Sequence, residues 1–138
     1  MSAFRTYAEV SSLIADLEGE RLPKERWTHE AHLAAGLWYV WHLGAEGALQ
    51  ELRRRITRHN VSVGTPNTDS TGYHETITRL YIRGIADLIL PGTQEHFDSA
   101  LVRVLESALS NSTWPLSLYT KDRLFSPAAR KEWLCPDL

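Results

Sequence analysis

The chain has little of what would staple, anchor or charge it. Cys135, within the last four residues, is its single cysteine, and one cysteine excludes an intrachain disulfide and a thiolate metal cage. That cysteine usage fits a reducing, cytoplasmic compartment. The longest apolar run, 33–43, is broken by His42 and is too short to cross a bilayer. The first residues carry neither a continuous apolar stretch nor a small-residue cleavage site, so no signal peptide is expected. A strong charge of either sign is also missing. Fifteen Lys and Arg against 17 Asp and Glu leave a net −2, which argues against a nucleic-acid partner bound through its phosphates. What remains is an ordinary globular composition, 43% hydrophobic over 138 residues, enough for one domain with its own core.

The periodicity is helical throughout, and the expected fold is all-α: a compact single-domain bundle over 1–138 with a C-terminal wrapping segment. Thr6 and Glu9 form a capping box ahead of a helix over 7–17, with Gly19 as its stop. A second helix starts near Thr28 and ends at Gly44, apolar on nearly every side and therefore central. Its face over 33–43 also offers a surface for a homodimer. A third, over 45–59, has a narrow stripe of Ala48, Leu49, Leu52 and Ile56 and reads as a surface helix. Arg53, Arg54, Arg55 and Arg58 form its solvated side, with Glu51 paired to Arg55. Residues 60–72 then form a turn-rich connection of 13 residues, longer than helix connections usually are and so a candidate functional loop. The next helix carries Ile77, Tyr81, Gly84, Ile85 and Leu88, with His74 one turn earlier on the same stripe and therefore pointing inward. Pro91 and Gly92 end it. Thr93 is expected to cap a further helix with Phe97, Leu101, Val104, Leu105 and Ala108. Ser126 and Pro127 open a short helix in the wrapping tail.

Chemistry-bearing residues gather at two helix starts. The segment 27–32 reads Trp-Thr-His-Glu-Ala-His, and 72–78 reads Gly-Tyr-His-Glu-Thr-Ile-Thr. His29 and His32, three apart, share a helix face. If the two starts meet, His29, His32 and His74 with a carboxylate such as Glu75, Asp69 or Glu30 could hold zinc or iron with one position open. The same imidazoles could instead act as acids and bases beside Glu75, its pKa raised by burial among aromatic residues. Against this stands a plain helix-surface pairing of Glu75 with Arg79, and local capping by His29 and His32. Asn67, Asp69 and Arg79 are candidate substrate contacts, because the loop feeds free backbone amides into a helix start. Trp27 and Tyr73 precede the two histidine segments and are expected at a pocket rim, stacking on a flat substrate. Gly36, one turn beyond His32, leaves room for a neighbouring helix or a ligand.

These motifs, aromatic-Thr-His-x-x-His at 27–32, Asn-Thr-Asp at 67–69, the 72–78 segment, and Leu-Phe-Ser-Pro-Ala-Ala-Arg at 124–130 running on to 136–138, resemble a widespread family of small helical bacterial proteins. The chain also looks like the small Pictet–Spenglerase-like proteins of bacterial alkaloid clusters, which condense a tryptophan-type amine with an aldehyde to a β-carboline. That resemblance implies a small-molecule substrate, no cofactor, and His29, His32, His74 and Glu75 as functional positions. A metal-dependent enzyme and a non-catalytic small-ligand-binding module are the alternatives.

Overall fold

A computed structural model describes residues 4–89 and 95–138, and among these the chain is helical with no strand. The first helix, α1 (Tyr7–Glu18), begins at the expected capping box: Thr6 accepts from the Glu9 amide, and the Glu9 carboxylate accepts from the Thr6 amide. Gly19 closes it, its amide turned back to Ala15 and Leu17. Val10, Leu13, Ile14 and Leu17 put the buried face of α1 into the core.

The next element, α2 (His29–Ser62), is 34 residues long but has one non-helical residue, Gly44, at φ 76° and ψ 173°. A straight helix of that length would hold its ends about 50 Å apart. Instead the rings of Trp27, just ahead of α2, and His59, near its far end, lie 5.5 Å apart. The chain therefore doubles back at Gly44 into two antiparallel arms, 29–43 and 45–62. A positive φ of this kind is inexpensive only for glycine, which is why the break falls there. The second arm runs three residues past the expected end at His59, because the Val63 amide still reaches the His59 carbonyl. Leu33, Leu37 and Val40 of the first arm are buried in the chain's own core.

α3 (Glu75–Leu88) packs against both arms of α2, so closely that a Cβ on Gly36 would lie 2.7 Å from Ile85 Cδ1. Helix packing is thus one reason for that glycine. The expected stop at Pro91 and Gly92 and the Thr93 cap lie outside the described residues. α4 (Phe97–Glu106) follows His96 and buries Phe97, Leu101, Val104 and Leu105, as its stripe predicts. Ala108 falls in a separate 3-10 turn, Ala108–Ser110, because Ser107 ends α4 in an extended conformation and caps the turn with its own hydroxyl.

The tail runs through the turn Trp114–Ser117, α5 (Lys121–Leu124) and α6 (Pro127–Lys131), the last opened by Ser126 and Pro127 as expected. Long-range bonds strap it over α3. The Thr76 hydroxyl donates to Glu132 O and accepts from the Leu134 amide, and Tyr119 Oη donates to Leu134 O at 2.6 Å. Arg79 and Arg83 lie over the Trp133 ring at 5.6 and 5.3 Å. No helix among the described residues is long and apolar enough to cross a membrane.

Candidate functional site

The antiparallel arms of α2, together with α3 and the tail, enclose a cavity of about 390 Å³. Ligand pockets commonly begin near this size. Its walls are Leu33, Leu52, Ile56, Ile77, Ile82, Ile85, Pro115, Leu116 and Leu124, with Phe125 half exposed at the rim. The polar side chains on it are those of Trp27, His29, His32, Thr78, Tyr81 and Ser112, and no Asp, Glu, Lys or Arg lines it.

The two histidines arrive there for local reasons. Thr28 caps α2, accepting from the Ala31 amide, which starts the helix at His29 and sets His32 one turn on. His29 Nε2 lies 2.8 Å from Leu109 O, and His32 Nδ1 lies 2.7 Å from Thr28 O. A carbonyl only accepts, so each ring nitrogen must donate. In the neutral ring this fixes the tautomer and leaves His29 Nδ1 and His32 Nε2 as lone pairs, each without a partner among the described residues. Burial pushes the His32 pKa down to about 4 against the help of the Thr28 carbonyl, with His29 and His59 adding like charge. It is a neutral acceptor at physiological pH. Trp27 stacks on it with ring centroids 3.9 Å apart, and Tyr81 meets His29 edge-on at 5.3 Å. Burial raises the Tyr81 hydroxyl to about 12, so it stays protonated.

His74 does not join them. It caps α3 instead: Nδ1 accepts from the Ile77 amide at 3.1 Å and Nε2 donates to Leu124 O at 2.7 Å. Both ring nitrogens are consumed in tying the tail to α3. The inward direction expected for it is correct, since it is buried, but it does not line the cavity of His29 and His32. The three-histidine metal set is therefore not assembled, and no group of three His, Cys, Asp or Glu able to hold a metal occurs among the described residues.

Glu75 is also placed elsewhere. The helix begins between His74 and Glu75, and their side chains diverge. Glu75 is buried in a separate polar cleft with Arg53, Thr57, Asn67, Thr68, Asp69, Tyr73, Arg130 and Lys131. Its partner is not the expected Arg79 but Arg53, which grips both carboxylate oxygens at 3.0 and 2.5 Å, while Tyr73 Oη donates at 2.7 Å. Burial alone would raise its pKa as the sequence suggests. The Arg53 and Tyr73 hydrogen bonds, with the charges of Arg53 and Arg79, outweigh it and hold the carboxyl below the usual range. Glu75 is thus a paired anion, not a poised acid, and Arg53 is not simply part of a solvated face. The Glu51–Arg55 pair does form, at 3.2 Å.

Of the expected substrate contacts, Asn67 is committed to the loop. Its Oδ1 accepts from the Tyr73 amide and from Asn60, and its Nδ2 donates to Thr57 O. Asp69 pairs with Lys131 at 3.1 Å on the surface. Thr68, Ser70 and Thr71 make the ordinary turn bonds their composition leads one to expect. Tyr73 lines the polar cleft rather than the rim of the histidine cavity, and Arg79 lines neither.

One histidine escaped the sequence reading. His59 is buried, its Nε2 donating to Leu22 O at 3.0 Å, with Nδ1 lacking a partner, as does the buried Trp27 Nε1. It sits beside Trp27 at the back of the cavity wall. The signal was available: Leu52, Ile56 and His59 follow i, i+4, i+7 along the apolar stripe.

Against protein-family models, curated proteins and solved structures, the chain finds no match.

Replacing Arg53 with Ala should lower stability by about 2 kcal/mol, less than a fully buried pair would lose because the arginine is half exposed. Adding Glu75→Gln should recover part of that loss, since the orphaned charge is then gone. Urea unfolding of both variants checks this; a double variant no more stable than Arg53→Ala would show that the pair matters little.

Proposed function

We propose that the protein is a small acid–base enzyme acting in the apolar cavity, condensing a tryptophan-type amine with an aldehyde in a Pictet–Spengler reaction. The observation that carries this reading is one 390 Å³ apolar cavity holding two imidazoles, each with a free lone pair, beside aromatic faces. An imidazole can take the proton of the incoming ammonium, making the amine nucleophilic, and return it to the hydroxyl that leaves the carbinolamine as water. After the indole carbon attacks the iminium, an imidazole removes the ring proton. That proton is very acidic because its loss restores aromaticity, so even a base as weak as His32 suffices. The faces of Trp27 and Tyr81 are suited to the passing iminium charge through cation–π attraction. Holding amine and aldehyde together contributes the proximity term.

The reading gives the chemistry to His29 and His32 and leaves His74 and Glu75 as structural positions. Incubating the protein with tryptamine and a small aldehyde, with product followed by mass spectrometry, tests it. Product should form at a rate above buffer, fall about a hundredfold or more in His32→Asn, and stay near wild type in Glu75→Gln. No product above buffer from any indole amine sinks catalysis. A binding module is the second reading, favoured by the absence of any Asp, Glu, Lys or Arg from the cavity wall.

A further inference from the structure

From the two imidazole tautomers we infer that the cavity selects a flat, uncharged aromatic ring system bearing an N–H or O–H donor, and discriminates against its anionic analogues. This rests on the reading that the cavity is the ligand site, but not on catalysis there.

His29 Nε2–H and His32 Nδ1–H are spent on the carbonyls of Leu109 and Thr28. Thr78 Oγ1 donates to His74 O, and Tyr81 Oη leans on Asn111 O at 3.5 Å, too long to bind it firmly. The unsatisfied capacity of the two histidines is acceptor capacity. A ligand that brings an N–H or O–H satisfies it; one without a donor leaves the imidazole lone pairs desolvated, at a cost of the order of an unmade hydrogen bond, whatever its acceptors take from the hydroxyls of Tyr81 and Ser112. Charge is selected in the same way. With no Arg or Lys on the wall, a carboxylate entering the cavity would lose its hydration without gaining a counter-ion. Aromatic rings flank the place where the donor would sit, Trp27 tilted closely against His32 and Tyr81 edge-on against His29.

Isothermal titration with indole, 1-methylindole, 3-methylindole and indole-3-acetate tests this. Indole and 3-methylindole should bind alike, which controls for the added methyl. 1-Methylindole, which has lost the donor, should bind at least tenfold more weakly, as should indole-3-acetate. In His32→Phe or His29→Phe, which keep the ring and its stacking, the N–H preference should fall below threefold in at least one of the two. Equal binding of 1-methylindole and 3-methylindole to the wild type would overturn the inference even if neither variant folded. Preference retained in both folded variants would overturn it too, as would no binding of any probe at millimolar concentration. The condensation assay is scored separately: N–H selection without product refutes catalysis alone, while equal turnover of tryptamine and its 1-methyl analogue refutes the selection alone.

Discussion

Gly72→Ala should destabilise the fold by about 3 kcal/mol, whereas Gly64→Ala, earlier in the same irregular connection and penalised through its backbone angle alone, should cost only about 1 kcal/mol. Both glycines have a left-handed backbone, φ +83° and +78°. They differ in what surrounds them. A Cβ at Gly64 would meet nothing within 4 Å, but one at Gly72 would lie 2.5 Å from Pro66 O and 2.8 Å from Asn67 Cα. Those are backbone atoms, which cannot swing aside as a side-chain end would. The conformational penalty is shared, so the difference between the two variants measures the close approach itself. It matters for the site because Gly72 O accepts from Arg130, and Tyr73, the next residue, bonds both Asn67 and Glu75. Paired urea melts at neutral pH give the answer. Equal losses would mean that the loop relaxes around the methyl and that its packing is not what holds Tyr73.

What the sequence made legible was local. The Thr6 and Glu9 capping box, the break at Gly44, the stripe of α4 and the Ser126–Pro127 start each depend on residues within a turn of one another, and each is found where expected. The all-α fold follows from such signals added along the chain. The candidate site was legible in half: Trp27, His29 and His32 do wall one cavity. The other half failed because its partners are remote. Arg53 reaches Glu75 from 22 residues upstream, and the Leu124 carbonyl accepts from His74 Nε2 from 50 residues downstream. No periodicity within 72–78 carries that information. A buried carboxyl and a buried imidazole look reactive until their partners are known, and here both turn out to be satisfied. His59 failed in the opposite direction: reading 45–59 as a surface helix obscured a polar residue on its apolar stripe.

Mild acid should destabilise this protein before its surface carboxylates titrate, and His32 should account for much of the effect. The ordinary histidine value is 6.5, and burial holds His32 at about 4 in the folded chain. The folded state therefore takes up this proton less readily than the unfolded state. Above pH 6.5 both states are neutral at this ring and nothing is lost. As pH falls from 6.5 towards 4, the unfolded chain is protonated first and gains the advantage. Linkage puts the loss at about 2 kcal/mol by pH 5 and about 3 kcal/mol by pH 4. His74, lowered chiefly by burial despite its bond to Leu124 O, pushes in the same direction. Glu75 does not contribute in the upper window, because its depressed carboxyl remains ionised until the pH drops below the ordinary 4.5. The measurement is urea unfolding at pH 7.5 and 5.0 for the wild type and His32→Asn, compared by the change between the two pH values rather than by absolute stability. The wild type should lose at least 2 kcal/mol over that interval, and the variant distinctly less. If the wild type is as stable at pH 5.0 as at 7.5, His32 is not the desolvated neutral acceptor on which both the proposed chemistry and the donor selectivity of the cavity depend.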